Sequence, residues 1–412
     1  MAFHAAGAAL RKDGKRKAAD GKAASLYIHV PFCASLCDYC DFYSVPSETA
    51  DRRFDLFIDA LLDDTEALIG NFGIDAVPTV YIGGGTPSVL GAAGIRRLLE
   101  GLAVLLPSRP EEFTLEANPE TADGAFLRAC REGGVNRISL GVQTFNGESR
   151  RALHRGGDSL LLAERLMLAR EIFGECVSLD LLTGLPLQDE GALVSDIEKI
   201  LSLRPGHVSL YSLTVEEGTP LAARTNPGLP SRDEADRLWI LGRDLLAGAG
   251  YDQYEVSNFA LPGRRSLHNI RYWRMGSWMG AGPSASGTLI DDETGTGCRC
   301  TVDAGVDRWL GRPRRAAPPV TVEHLDRPVL IKESLLMGFR YLEGPDEALF
   351  RRRFGCGIED LVPESLARWR RRGVIRKETP APTVEGFLFL NPLLFDVFEE
   401  LNRKKPAECP GG

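Results

Sequence analysis

Cys33, Cys37 and Cys40 stand in the run Pro31-Phe32-Cys33-Ala34-Ser35-Leu36-Cys37-Asp38-Tyr39-Cys40-Asp41-Phe42. Three thiolates at C-x3-C-x2-C spacing on one loop can hold three irons of a [4Fe–4S] cubane and leave the fourth iron open. The alternative is a structural zinc site, which normally takes four ligands, often as paired C-x2-C modules. No fourth Cys or His follows the triad closely, and His29 falls inside the preceding strand pattern. The other cysteines are 130, 176, 298, 300, 356 and 409. Cys130 and Cys176 read as buried thiols, and Cys298-Arg299-Cys300 as part of a polar loop. Without a secretory signal a disulfide framework is not expected, which points to reduced thiols in the cytoplasm.

A loop carrying such ligands needs a rigid frame. Strand-like runs recur at Leu26–Val30, Thr79–Ile82, Phe113–Glu116, Arg137–Val142, Ser178–Leu182 and His207–Leu213. Helix-length amphipathic segments near 51–70, 92–105, 122–132, 158–173 and 190–203 lie between them, and 231–249 follows. This alternation predicts βαβ units and a parallel sheet. Six units are fewer than the eight of a closed barrel, so a partial barrel or open sheet is expected. Each strand ends in polar or glycine-rich residues: the cysteine loop, Gly83-Gly84-Gly85-Thr86-Pro87, Glu116, Gln143, Asp180 and Tyr211 to Thr214. Strand ends of an α/β barrel converge on one mouth, so these groups are expected to share a site.

With Leu26-Tyr27-Ile28-His29-Val30-Pro31-Phe32 leading into the triad, the chain resembles the radical S-adenosylmethionine (SAM) superfamily. Within it, the run is similar to the oxygen-independent coproporphyrinogen III dehydrogenases and the HemW-type heme chaperones. The resemblance implies a partial (β/α)6, TIM-like α/β barrel. It also implies that the open iron binds SAM through its amino and carboxylate groups. An electron from the cluster then cleaves the sulfonium, giving methionine and a 5′-deoxyadenosyl radical. By the same resemblance, Tyr27, Tyr39, Gly84, Gly85, Thr86, Glu116, Gln143, Arg155 and Asp180 are expected to line the SAM pocket. The charges suit SAM: a guanidinium can pair with its carboxylate, and carboxylates with its cations or hydroxyls.

Two functions from different classes follow. One is an enzyme that decarboxylates two propionates of coproporphyrinogen III. The other is a chaperone that binds heme and passes it to an acceptor protein. The dehydrogenases carry a further cysteine two residues after the third ligand, where this chain has Phe42. The run His268-Asn269-Ile270-Arg271-Tyr272-Trp273 matches the H-N-x-x-Y-W motif of the chaperone branch. His268, Asn269 and Tyr272 are therefore expected at a heme site, with His268 as the candidate iron ligand. The residues alone also allow His268 to be a hydrogen-bonded loop histidine, and Tyr272 and Trp273 to be core. An electron donor and a peripheral membrane contact for heme delivery are further expectations.

Four segments are expected. They are a disordered basic tail (1–24), the barrel with the H-N-x-x-Y-W segment (25–290), a loop or linker (291–320) and a small C-terminal domain (321–405). The last reads as mostly helical, with strand-like pieces near Val374–Lys377 and Gly386–Leu390 that give it a winged-helix character. A net charge of −8 in 412 residues argues against general nucleic-acid binding. No stretch approaches the ~18 apolar residues of a transmembrane helix.

Overall fold

The computed structural model describes residues 22–48, 51–225 and 228–404. Most of the expected basic tail, and Cys409, lie outside them. Six parallel strands form the frame: β1 (Ser25–Val30), β2 (Thr79–Gly84), β3 (Glu112–Ala117), β4 (Arg137–Gln143), β5 (Val177–Thr183) and β6 (His207–Ser212). Each is followed by a helix: α1 (Arg53–Phe72), α2 (Gly91–Leu105), α3 (Gly124–Glu132), α4 (Ser159–Phe173), α5 (Glu190–Leu203) and α6 (Arg232–Gly248). Local chemistry sets the helix starts. Asp123, Asp158 and Asp189 accept backbone N–H bonds at their N-caps, and Ser231 with Glu234 forms a capping box.

The strands are two-faced. Leu26, Ile28, Val80, Ile82, Leu115 and Leu140 are fully buried in the core shared with the helices. The alternate residues Tyr27, Tyr81, Glu116, Ser139 and Asp180 turn to the barrel interior, where they meet one another. Parallel strands are normally apolar on both faces, so this polar inner face marks where chemistry is placed.

Beyond α6 the sheet grows at both edges. β7 (Asp252–Gln253) and β8 (Asn258–Ala260) add antiparallel beyond β6. After the short helix α7 (Leu267–Trp273), β9 (Trp278–Ala281) pairs parallel with β1. Then β10 (Ser286–Asp291), β11 (Thr296–Val302) and β12 (Val320–Leu325) continue antiparallel. The sheet has twelve strands in the order β12-β11-β10-β9-β1-β2-β3-β4-β5-β6-β8-β7. The expected 291–320 loop or linker carries β11 and a short helix, Val306–Leu310, before β12 begins. Gly297, Arg299 and Thr301 alternate with Cys298, Cys300 and Val302, a strand period disguised by glycine and cysteine. Cys130 is buried as expected, whereas Cys176 is only half-buried.

The C-terminal region packs a second core around Leu330, Phe350, Trp369 and Leu393. Its main helices are α8 (Arg327–Gly338), α9 (Glu347–Phe354), α10 (Pro363–Arg371) and α11 (Leu390–Lys404). The expected strand pieces reduce to one isolated bridge, Ile375 to Pro382, and a 3-10 turn at Glu385–Phe389. Among the described residues this region is helical and carries no wing. No helix among the described residues is long and apolar enough to cross a membrane.

Candidate functional site

The C-terminal ends of β1 to β6 open into a cavity of about 540 Å³, within the range of small-molecule sites. Its wall includes Cys33, Cys37, Cys40, Tyr39, Gly84, Gly85, Thr86, Glu116, Gln143, Arg155 and Asp180. Of the pocket residues expected from the sequence, only Tyr27 is missing. Its hydroxyl bonds His29 Nδ1 at 3.0 Å, and its ring stacks on Tyr81 below the cavity.

The glycine turn is welded to the cysteine loop. Gly85 N donates to Val30 O at 2.8 Å and Thr86 N to Phe32 O at 2.7 Å. Gly84 has φ +110°, and a Cβ there would sit 2.6 Å from the His29 ring. A side chain at Gly85 would come 2.7 Å from Phe32 O. Only glycine lets these strands and the loop approach so closely.

Arg155 spans the thiols and the strand ends. Nη1 donates to Cys37 Sγ at 3.2 Å and to Tyr39 OH at 3.4 Å, and Nη2 donates to Gly141 O. Its Nε is buried and unsatisfied. A guanidinium with a spare buried donor suits a carboxylate-bearing ligand. Gln143 enters the wall from a backbone at φ +67°, a conformation that costs energy in a non-glycine residue. On the floor, Tyr81 donates to Glu116 Oε1 at 2.5 Å, and Gly84 N to Oε2 at 3.3 Å. Burial pushes the Glu116 carboxyl up to about 7, against the opposing pull of the Tyr81 hydrogen bond. Ser139 donates to both Asp180 oxygens at 3.2 and 3.3 Å, and burial raises that carboxyl as well. Two carboxylates held out of water are suited to a cation such as an ammonium or sulfonium.

Burial raises the thiols of Cys33 and Cys40, the latter to about 11. Free thiolates are therefore disfavoured there, and bound iron would supply the compensating charge. Among the described residues no three His, Cys, Asp or Glu side chains converge as ligands of one metal ion. A cubane takes one thiolate at each of three irons, which is the number of thiols the loop presents to the cavity. His29 is not a fourth ligand: its nitrogens meet Tyr27 OH and Tyr43 O.

Sequence reading missed the supports. Tyr81, the partner of Glu116, shares the inner face with Gly83, a period-2 relation visible in the sequence. Asp38 could not be found that way. Buried between two ligands, it receives His154 Nδ1 at 2.8 Å and pairs with Arg224. Its backbone also bonds Leu153 and Leu221, so it pins the cysteine loop to two distant segments.

The H-N-x-x-Y-W helix lies at the other end of the barrel. Glu112, at the start of β3, accepts from Ser266 Oγ, Leu267 N and His268 N at 3.3, 2.8 and 2.9 Å. His268 is 1% exposed. Its Nδ1 meets Thr79 Oγ1 and its Nε2 meets Tyr272 OH, both at 2.8 Å. With both nitrogens engaged, His268 would have to give up the Thr79 or the Tyr272 bond to reach a heme iron. Asn269 and Tyr272 are half-buried, with the Tyr272 hydroxyl spent on His268. Six-residue strands rising ~3.3 Å per residue put this helix roughly a strand length from the cysteine loop.

Residues 27–200 match the Radical SAM superfamily. The chain is 36% identical over 352 residues to the heme chaperone HemW of Lactococcus lactis, covering 84% of this chain and 89% of that protein. It is 34% identical over 373 residues to HemW of Escherichia coli, covering 90% and 97%. Among solved structures it resembles coproporphyrinogen III oxidase (HemN) from Escherichia coli, with TM-score 0.78, 23% identity and coverage of 92% and 90%; at that identity the likeness speaks for the fold. With a match to the superfamily over the cysteine loop and the first five βα units, and kinship over nearly the whole chain, this protein belongs to the radical SAM superfamily and, within it, to the HemW heme-chaperone family.

Proposed function

We propose that this chain is a cytoplasmic heme chaperone. In this reading Cys33, Cys37 and Cys40 hold the [4Fe–4S] cluster. SAM lies against Gly84, Gly85, Thr86, Glu116, Gln143, Arg155 and Asp180, with Tyr39 covering the thiols. Cluster and SAM are the cofactors that membership of the superfamily implies; when bound, they supply one-electron chemistry at the sulfonium. The protein's own residues bind and orient. Arg155 offers its spare donor to a carboxylate, while Glu116 and Asp180 face the cationic end. Heme is taken up and passed to an acceptor protein, and an external donor reduces the cluster.

The observation that carries this reading is near full-length kinship with proteins named as heme chaperones. Phe42 adds to it. The side chain standing where the dehydrogenases have a further cysteine is 67% exposed at the cavity mouth. The second reading, coproporphyrinogen III dehydrogenase, is supported by the fold of HemN. One paired assay separates the two. Anaerobically reconstituted protein is titrated with hemin and, separately, supplied with coproporphyrinogen III, SAM and a reductant. Stoichiometric heme uptake with no protoporphyrinogen IX is expected, and enzymic conversion of the porphyrinogen would replace the chaperone reading with the dehydrogenase.

A further inference from the structure

Cys298 and Cys300 lie outside the site described above. As residues i and i+2 of β11 they leave the same face of the sheet. Their sulfurs are 3.7 Å apart, and the residues are 2% and 9% exposed. Across the ladder Cys300 faces Gly287 of β10, which has no side chain to fill the space. Met279 of β9 therefore lines the same small cavity, about 10 Å³, together with Leu68 and Phe72 of α1. Such a void is about the size of one water or one ion.

The spacing decides what fits. A disulfide needs an S–S bond of ~2.05 Å and Cβ atoms ~3.5–4.5 Å apart. Residues two apart on a strand are separated by roughly 6.6 Å, so closing that bond would pull β11 out of its pairing with β10 and β12. Two metal–sulfur bonds of ~2.3 Å span roughly 3.8–4.0 Å at tetrahedral to trigonal angles, within a few tenths of an ångström of the present separation. Cys298, Cys300 and Met279 are the sulfur-bearing residues of the lining, which includes no carboxylate or imidazole residue. Hard cations want oxygen ligands, and zinc wants a fuller nitrogen or sulfur set. Thiolate with thioether selects soft ions.

We propose that Met279, Cys298 and Cys300 form a sulfur-only site for a soft monovalent cation of the Cu(I) class, separate from the thiols of the cysteine loop. Binding replaces two thiol protons with one ion and releases both protons to solvent.

The test uses full-length protein already loaded with its cluster, so that Cys33, Cys37 and Cys40 are occupied. It is titrated anaerobically with Cu(I) buffered by bicinchoninate. One copper per chain is expected, with a sulfur-only shell in X-ray absorption and no iron released. Cys298→Ser with Cys300→Ser abolishes uptake. Met279→Leu, which conserves volume, weakens it at least about tenfold and keeps the inference testable if the double variant misfolds. Four results would overturn it: copper retained by the double variant, affinity unchanged by Met279→Leu, a nitrogen or oxygen shell, or copper uptake matched by iron loss.

Discussion

Glu116 shows how a single residue can tie the site to pH. Its carboxyl shifts from 4.5 to about 7 because burial outweighs the Tyr81 hydrogen bond. In the ligand-free protein the folded state therefore prefers the protonated form. This contribution to stability is full below about pH 4.5 and is lost as pH rises through about 7. A cationic ligand reverses the preference, because it needs the carboxylate. SAM affinity, measured by equilibrium dialysis, is expected to rise between roughly pH 6 and 8, and Glu116→Gln to flatten that rise. Tyr81→Phe removes the donor that favours the ionised form, so the midpoint should move to higher pH. A midpoint unchanged in Tyr81→Phe would show that this hydroxyl does not tune Glu116.

At the scale of elements, two devices hold the chain around the site. The first is α7, fastened to the floor of the barrel by Glu112 and by His268. Burial holds His268 neutral, from 6.5 down to about 3. Its contribution to stability is present above about pH 6.5 and is lost as acid approaches about 3. His268→Ala should cost about 1–3 kcal/mol in urea unfolding, soften the acid limb and leave the hemin Soret band unchanged. Loss of the Soret shift in a stably folded variant would restore His268 as a heme ligand. The second device is Asp38. Asp38→Ala removes the carboxylate that joins His154 and Arg224. Its cluster is expected to pass to a ferrous chelator several-fold faster than that of the wild type, at a stability cost of about 1–3 kcal/mol. Equal release rates would show that the loop is held by its ligands alone.

On the scale of the whole molecule, the barrel and the helical domain are joined by buried polar contacts as well as by apolar packing. Arg353, 4% exposed, pairs with Asp292 at 2.7 Å and donates to Met275 O at 3.2 Å. Arg299 reaches from β11 to Glu333 on α8 at 2.6 Å, and the Glu255–Tyr341 bridge adds a backbone contact. Asp292→Ala leaves the buried guanidinium without its carboxylate and should destabilise by about 1–3 kcal/mol. Calorimetry is expected to show the helical domain melting at a lower temperature than the barrel. A single unshifted transition would mean that apolar packing alone couples the two.

Much of this was written locally. Alternation of β-branched runs with capped amphipathic helices sets the six βα units, because strand and helix periods and N-cap chemistry act within a few residues. The C-x3-C-x2-C loop and the strand-end groups were legible for the same reason: in a parallel sheet, the ends of successive strands must meet. What depended on distant pairing was not legible. β11 read as loop because glycine and cysteine hid its alternation until β10 and β12 fixed the register. For His268 the residues left a heme ligand and a hydrogen-bonded histidine both open, because no local pattern shows that Thr79 and Tyr272 meet its two nitrogens. Nothing local marks Asp38, because its partners lie more than a hundred positions away. The sequence by itself determined which groups stand at the mouth. Tertiary structure alone decided which are free to bind and which are already engaged, since a buried polar group takes whatever partner the fold brings within reach.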